Sequence, residues 1–258
     1  MKEYLDFAVD IAYKAGNIMK KYFNQNNGAY YKNDKTIVTI ADNEINEMLI
    51  DNVKNKFPSH CVDGEEKQFN ASNYVWVCDP IDGTAMFARH IPVAVFSLAL
   101  VIDGVPNVAV VYDPWTNNLY SAIKNEGAYK NGEKISVNNN TIDDISTVGH
   151  FDFWKTCELD IQKTINELQK RCYMVSIGSI IRASVAVATG ELTFCIFPGT
   201  VRKHCDIAGV KLIVEEAGGK VTNFLGQEQR YDRDIYGAVI TNNKVHNEIL
   251  SIIKNNLK

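Results

Sequence analysis

The sequence predicts an α/β fold in which helices layer against sheets, and three observations support this prediction. Apolar residues recur at helical spacing in the first twenty positions, β-branched and aromatic runs follow from Tyr74, and helix and strand patterns alternate after residue 142. We interpret the 258 residues as two intimately packed parts. Residues 1–142 form an α+β part with an antiparallel sheet, and residues 143–258 form an α/β part.

Two helices are predicted at the beginning of the first part. An amphipathic pattern covers Glu3–Phe23. After a polar break, Thr39 is followed three residues later by Asp42, the arrangement of a capping box. A second helix is therefore expected to begin there and to end near Pro58.

Apolar runs separated by turn residues then predict an antiparallel meander. Its strands are Tyr74–Cys78, Val93–Ile102, Asn107–Tyr112 and Asn118–Ile123. The segment Gly127–Gly132, followed by Ile135–Val137, predicts one more hairpin with an Asn-Gly turn.

The second part alternates between strand and helix patterns, which predicts helices packed against a further sheet. The predicted strands are Thr147–His150, Met174–Ile177, Thr193–Phe197, Lys220–Phe224 and Tyr236–Thr241. The predicted helices are Thr156–Lys170, Ser179–Thr189, His204–Ala217 and Lys244–Lys254.

Composition argues against several classes of protein. A net charge of −4 leaves no basic footprint for nucleic acid or for anionic membranes, and neither a signal peptide nor a membrane-spanning segment is recognisable. The six cysteines lack metal-binding spacing, so we expect reduced thiols in a cytoplasmic protein, although Cys195 and Cys205 could form a bridge.

The most informative motif follows the first strand of the meander. Asp79 and Asp82 are hard oxygen donors of the kind that Mg²⁺ prefers, and they lie at a strand end, where the backbone is rigid. Gly83 allows close backbone approach, and a helix beginning at Thr84 would offer free N–H groups to an anion. This combination suits a phosphate. The alternative interpretation is a plain Asp-Gly turn between two strands.

Two further acidic segments fit the same interpretation. Glu65 lies in Asp-Gly-Glu-Glu before the first motif, and Asp206 lies at the beginning of a predicted helix. Taken alone, Glu65 is typical of a solvated surface acid and Asp206 of a helix cap. His204 lies close to Asp206, and we interpret it as structural.

Together these motifs resemble those of the inositol monophosphatase family of lithium-sensitive, magnesium-dependent phosphatases over nearly the whole chain. The matching regions are Gly-Glu-Glu at 64–66, Asp-Pro-Ile-Asp-Gly-Thr at 79–84 and Asp-x-Ala-Gly at 206–209. The resemblance implies the αβαβα sandwich of the sugar-phosphatase type. It also implies that the protein is a homodimer and that its ligand is a small phosphorylated substrate.

The resemblance further implies a site with two to three Mg²⁺ ions. Its metal ligands would be Glu65, Asp79, the carbonyl of Ile81, Asp82 and Asp206. Its catalytic residues would be Asp42, Glu65 and Thr84, of which Asp42 and Thr84 orient a water that the metals make more acidic. The residues implied to bind the substrate are Asp82, Gly83, Thr84, Gly178, Ser179 and Ile180.

Two departures from the family pattern leave the substrate open. Cys205 stands where the family usually has tryptophan, and Gly199 stands where inositol-specific members have a glutamate. Arg202 and Lys203 favour a bulkier or more anionic substrate, unless they are a solvated basic pair. Histidinol phosphate, fructose 1,6-bisphosphate and nucleotide or NADP phosphates are therefore alternatives to an inositol phosphate. A non-catalytic regulatory binding protein is a further alternative.

Overall fold

The computed structural model describes residues 1–25, 28–31, 37–69, 71–152, 161–198 and 204–256. In these residues, helices and sheets alternate in five layers, which confirms the αβαβα sandwich. One apolar cluster lies beneath each outer helical layer, and a third extends from the first sheet through the middle helices to the second sheet. Both sheets are covered on both faces because their strands carry apolar residues on both sides.

The first outer layer consists of the two predicted helices, α1 (Lys2–Phe23) and α2 (Ile40–Lys56). Between them, β1 (Tyr30–Tyr31) and β2 (Ile37–Val38) pair with each other. The backbone N–H of Thr39 donates to Asp42 Oδ2 at 2.8 Å. This bond satisfies one of the N–H groups at the helix start, so the predicted cap is confirmed.

The first sheet contains eight strands. They are β3 (Cys61–Gly64), β4 (Gln68–Phe69), β5 (Tyr74–Asp82), β6 (Val95–Ile102), β7 (Val105–Asp113), β8 (Asn118–Ile123), β9 (Gly127–Lys130) and β10 (Glu133–Lys134). Their order is β10-β9-β8-β7-β6-β5-β3-β4, and a four-residue helix, α3 (Thr84–Phe87), follows β5. The strands from β5 to β10 form the predicted antiparallel meander, whereas β3 joins β5 in parallel.

The last hairpin of this sheet confirms one prediction and corrects another. Asn131 and Gly132 both have positive φ, at 51° and 85°, as a type I′ turn requires. The predicted strand Ile135–Val137 is wrong, because β10 ends at Lys134. The Ile135 N–H still donates to the Ala128 carbonyl of β9 at 3.0 Å, but beyond it the Val137 N–H donates to the carbonyl of Ala217, also at 3.0 Å.

The second sheet and its helices form the other three layers. The elements are β11 (Val148–Phe151), α4 (Gln162–Leu168), β12 (Tyr173–Val175), α5 (Ile180–Ala188), β13 (Phe194–Phe197), α6 (His204–Glu216), β14 (Lys220–Thr222), β15 (Ala238–Thr241) and α7 (His246–Asn256). The strand order is β12-β11-β13-β15-β14, with β11 parallel to both of its neighbours. Helices α5 and α6 lie between the sheets, and α4 and α7 cover the outer face.

Two further expectations can be compared with the described residues. The predicted helix Thr156–Lys170 begins in residues 153–160, which lie outside them, and its described part contains α4. The five described cysteines are free thiols, so Cys195 and Cys205 form no bridge. Among the same residues, none of the helices combines the length and apolar character that a membrane crossing needs.

The packing of α1 on the sheet generates a prediction about Gly16. A Cβ there would lie 2.3 Å from Cε1 of Tyr112, whose hydroxyl donates to Asn117 Oδ1 at 2.6 Å. Helix propensity favours alanine over glycine by about 1 kcal/mol, but the clash opposes it. We expect Gly16→Ala to lower the free energy of unfolding by about 1–3 kcal/mol in urea denaturation.

The exposed neighbour Asn17 provides the matched control for this substitution. Asn17→Ala changes helix propensity without entering the core, so it should leave stability unchanged or slightly higher. Equal stability of the two alanine variants would contradict the packing argument.

Candidate active site

The two acids of the central motif are brought to one face of the sheet by an irregularity in β5. Residues three apart in a regular strand point to opposite faces. Here Asp79 pairs with Ser97 and Asp82 pairs with Val95, so three residue steps of β5 match two of β6. This bulge therefore places both carboxylates on the same face of the sheet. They point towards the layer that contains α6, because Val95 belongs to the central apolar cluster.

The third acid, Asp206, comes from the first turn of α6. The helix approaches the sheet closely at Gly209, where a Cβ would lie 2.6 Å from the Ser97 hydroxyl. Since Ser97 is the cross-strand partner of Asp79, this contact brings Asp206 to the acids of β5. The glycine of Asp-x-Ala-Gly thus has a packing role that places the aspartate.

Asp79, Asp82 and Asp206 form a buried acidic cluster. Each contributes one carboxylate oxygen to a group whose members all lie within 4.8 Å of one another, and each side chain is at most 5% exposed. Burial and the neighbouring Asp206 charge raise the pKa of Asp82 to about 8, against the hydrogen bonds that it accepts. Three buried oxygen donors with mutual repulsion suit a hard divalent cation.

The second oxygen of the Asp82 carboxylate is held by the beginning of α5. Asp82 Oδ2 accepts hydrogen bonds from the Ser179 hydroxyl and from the Ile181 N–H, the latter at 2.8 Å. The Ser179 hydroxyl in turn accepts from the Arg182 N–H at 3.1 Å, and the Arg182 guanidinium pairs with buried Asp113 at the end of β7. These bonds fix the orientation of Asp82 from the second half of the chain.

Asp42 and Thr84 also meet, as the sequence analysis expects. Thr84 Oγ1 donates to the Ile81 carbonyl at 2.7 Å and lies 3.4 Å from Asp42 Oδ1. Burial raises the pKa of Asp42 to about 7, with Glu65 among the contributing charges, while hydrogen bonds from Thr39 oppose the shift. Asp42 therefore serves both as the cap of α2 and as a carboxylate beside Thr84.

Glu65 lies directly beyond β3, next to the acids of β5. Gly64 pairs with Cys78, and the Glu65 N–H donates to the Cys78 carbonyl at 3.2 Å, so Glu65 follows the same parallel register as Asp79. Gly64 is required here because a Cβ would lie 1.9 Å from Asn46 Oδ1. Among the described residues, Glu65 is outside the group of three carboxylates but half-buried beside it.

The glycines of two predicted substrate-binding segments face each other. Gly83 has a φ of 88°, and a Cβ there would lie 3.0 Å from the carbonyl oxygen of Gly178. Ser179 and Ile180 follow with fully buried side chains. Because Ser179 and Ile180 are buried as whole residues, direct contact of this segment with a substrate would come from the partly exposed Gly178. Gly199, Arg202 and Lys203 lie outside the described residues.

The contacts that hold the acids in place leave no pattern in the sequence. Ser179 lies 97 residues from Asp82, and Arg182 lies 69 residues from Asp113. No local spacing indicates either pair. The glycine at position 209 was the one available signal, since a small residue one turn after an acid indicates close packing.

Comparison with known proteins gives consistent similarities. The model of the inositol monophosphatase family matches residues 1–258. A fructose-1,6-bisphosphatase/inositol-1-monophosphatase of Thermotoga maritima is 31% identical over 96% of this chain and 95% of its own length. Nus factor SuhB of Pasteurella multocida is 32% identical over 88% of this chain and 87% of its own length. The structure of an IMPase of Thermotoga maritima has a TM-score of 0.87 at 29% identity, covering 98% of this chain and 97% of that one.

The acidic cluster predicts a proton-linked affinity for Mg²⁺. With the pKa of Asp82 raised to about 8, the metal-free cluster holds a proton at pH 6 that a cation must displace. We expect the apparent affinity to rise with pH from 6 to about 8, by up to ~10-fold per unit for each proton released, and then to level off. Calorimetric titration in buffers of different ionisation enthalpy would count the protons. An affinity independent of pH would contradict this prediction.

Proposed function

This chain belongs to the inositol monophosphatase family and is a phosphoric monoester hydrolase, and we propose that it hydrolyses the phosphate monoester of a small polyol or sugar with Mg²⁺. The observation that carries the proposal is the cluster of three buried carboxylates beside the pair of Asp42 and Thr84. The cluster suits a divalent cation, and the pair suits a water. Metal-assisted hydrolysis of a phosphate ester uses both.

The proposed metal ligands are drawn from both parts of the chain, 1–142 and 143–258. Glu65, Asp79 and the Ile81 carbonyl would hold one Mg²⁺, and Asp79, Asp82 and Asp206 a second, within a total of two to three ions. All are oxygen donors, and the three clustered acids are buried, which supports Mg²⁺ over a softer metal. Bound Mg²⁺ would supply positive charge to the phosphate oxygens and acidify a water.

Asp42 and Thr84 would position the attacking water. The single hydroxyl hydrogen of Thr84 has two acceptors within reach, the Ile81 carbonyl at 2.7 Å and Asp42 Oδ1 at 3.4 Å. When the Thr84 hydroxyl donates its hydrogen to one of these acceptors, its oxygen still has lone pairs that can accept a hydrogen bond from a water. The raised pKa of Asp42, about 7, lets its carboxylate take up a proton near neutral pH. Glu65 would act with them through its negative charge.

The phosphate would be held where β5 passes into α3. Gly83 and Thr84 begin that helix, so their backbone N–H groups can donate to phosphate oxygens. The alcohol part would lie against Asp82 and the segment of Gly178, Ser179 and Ile180, of which Gly178 is partly exposed. The closeness of Gly83 to the Gly178 carbonyl supports a continuous pocket over these segments.

Several compounds are candidates for the substrate. The relative from Thermotoga maritima has both a bisphosphatase and a monophosphatase activity in its name, so a sugar bisphosphate is an alternative, as are histidinol phosphate and nucleotide or NADP phosphates. Similarity to a Nus factor favours one candidate of another class, a regulatory binding protein. The acidic cluster favours the catalytic function over the regulatory one. A homodimer, lithium inhibition and a cytoplasmic location complete the proposal, the last supported by the free thiols.

The test of the proposed function is phosphate release from a panel of substrates. The panel contains inositol 1-phosphate, histidinol phosphate, fructose 1,6-bisphosphate, adenosine 3′,5′-bisphosphate and NADP⁺, each with Mg²⁺ and with EDTA. We expect Mg²⁺-dependent release that strongly favours one compound. No release from any compound would contradict the proposal and favour the regulatory alternative.

Two isosteric substitutions, one in the acidic cluster and one at the surface, test the metal assignment in this assay. Asp82→Asn removes a charge from the cluster and should lower release at least ~100-fold, more than loss of a hydrogen-bond partner of a ligand usually costs. Asp51→Asn makes the same change on the exposed side of α2 and should leave release unchanged. Equal activity of the two variants would refute the metal assignment.

The hydroxyl of Thr84 is expected to matter for turnover rather than for metal binding. Thr84→Val keeps the shape but removes the group that would orient the water, so we expect kcat to fall ~100-fold or more. Thr84→Ser keeps the hydroxyl and should retain most of the turnover. Steady-state kinetics at saturating Mg²⁺ would check this. A valine variant as active as the serine variant would exclude the hydroxyl from the mechanism.

A further inference from the structure

A histidine and an aspartate that the proposed mechanism does not use connect the two halves of the site. Asp63 lies in β3, two residues before Glu65, and His204 begins α6, two residues before Asp206. Although they are 141 residues apart, His204 Nε2 lies 2.8 Å from Asp63 Oδ2. The bond therefore joins the segment that carries Glu65 to the helix that carries Asp206.

The bond is shielded from water and supported on both sides. The side chains of His204 and Asp63 are 7% and 15% exposed. Because the partner of Nε2 is a carboxylate, that nitrogen carries the proton and donates. The other carboxylate oxygen of Asp63 accepts from Gln68 Nε2 at 2.7 Å, and the Cys205 thiol lies 3.7 Å from the Asp63 carbonyl. Asp63 is thus held in orientation within the sheet while it holds His204.

The position of this bond has a consequence for the metal site. The parallel register of β3 and β5 places Glu65 beside Asp79, so Asp63 belongs to the same rigid unit as those acids. Asp206 lies on a separate element, and its distance from that unit depends on how α6 begins. A hydrogen bond two residues from Glu65 and two residues from Asp206 restricts that distance directly. Packing of Gly209 and the buried apolar residues of α6 restricts the rest of the helix, and the bond at its first residue adds a restraint next to Asp206.

We propose that His204 and Asp63 are a positioning pair that fixes Asp206 relative to Glu65 and Asp79, an inference that rests on the proposed function. Neither residue belongs to the proposed set of metal ligands. The pair acts through the ligands, as hydrogen-bond partners around metal sites do, where their loss costs ~10–100-fold in metal affinity or activity.

The test compares Mg²⁺ binding by titration calorimetry with the Mg²⁺ concentration for half-maximal phosphate release. His204→Leu removes the donor, so we expect both constants to rise ~10–100-fold. His204→Gln keeps an N–H that reaches Asp63 and should remain close to the unsubstituted protein. Asp63→Leu should weaken Mg²⁺ binding to the same extent. The double leucine variant should bind Mg²⁺ no more weakly than either single variant, because the two substitutions remove the same hydrogen bond.

Another buried histidine provides the control for a purely structural effect. His246 bridges the hydroxyls of Thr222 and Thr241 at 2.9 and 3.0 Å, in the layer furthest from α1 and α2. His246→Leu should lower the melting temperature without changing Mg²⁺ binding. If His204→Leu and Asp63→Leu behaved in the same way, the pair would be structural only and the inference would be overturned.

Two further results separate a failure of this inference from a failure of the proposed function. If a leucine variant fails to fold, His204→Ala, which removes the donor without adding apolar bulk, supplies the comparison: weaker Mg²⁺ binding supports the pair, and unchanged binding overturns it. Failure of the unsubstituted protein to bind Mg²⁺ or to release phosphate would instead refute the proposed function.

Discussion

Repulsion among Asp79, Asp82 and Asp206 is the constraint on which the rest of this site depends. Three carboxylates within 4.8 Å of one another, all buried, would separate if their backbones were free to move. Two rigid elements prevent this. One is the bulged end of β5, held between β3 and β6, and the other is α6, packed between two sheets. Apolar burial in the central layer thus offsets the electrostatic cost of the cluster.

Each acid-bearing segment also contains a glycine that the packing requires. A Cβ would lie 1.9 Å from a neighbouring atom at Gly64, 3.0 Å at Gly83 and 2.6 Å at Gly209. At Gly83 a positive φ adds a second reason. The carboxylates can converge only because the backbones next to them approach other chain segments closely. The motifs that identify the family therefore encode packing as well as ligand chemistry.

Features that depend on local pattern were predictable, and contacts between distant residues were not. The helical spacing of α1, the Thr39–Asp42 cap and the Asn131–Gly132 turn are local signals, and the structure confirms them. The strand β3 was missed because four residues with one apolar pair carry no period-2 pattern. Ile135–Val137 has strand composition, yet β10 ends before it: Ile135 keeps one hydrogen bond to β9, and Val137 bonds to Ala217 just beyond α6.

The site shows the same division. The resemblance to the family predicts that Asp79, Asp82 and Asp206 act together, but their shared face depends on a bulge that composition does not reveal. The bonds that orient them, from Ser179 to Asp82 and from His204 to Asp63, join residues 97 and 141 positions apart. Polar residues of these types occur throughout the chain, so only the fold selects the partners.

Chemistry and substrate choice are therefore encoded by different parts of this protein. Asp79, Asp82 and Asp206 are buried on β5 and α6, and Ser179 and Ile180 beside them are buried as well. Residues without exposed surface cannot contact a ligand directly, so discrimination between alcohols would rest on exposed side chains of neighbouring segments. This explains how relatives at 31% and 32% identity can be named for different functions on one scaffold. A shared fold at this level of identity therefore does not by itself fix the choice of alcohol.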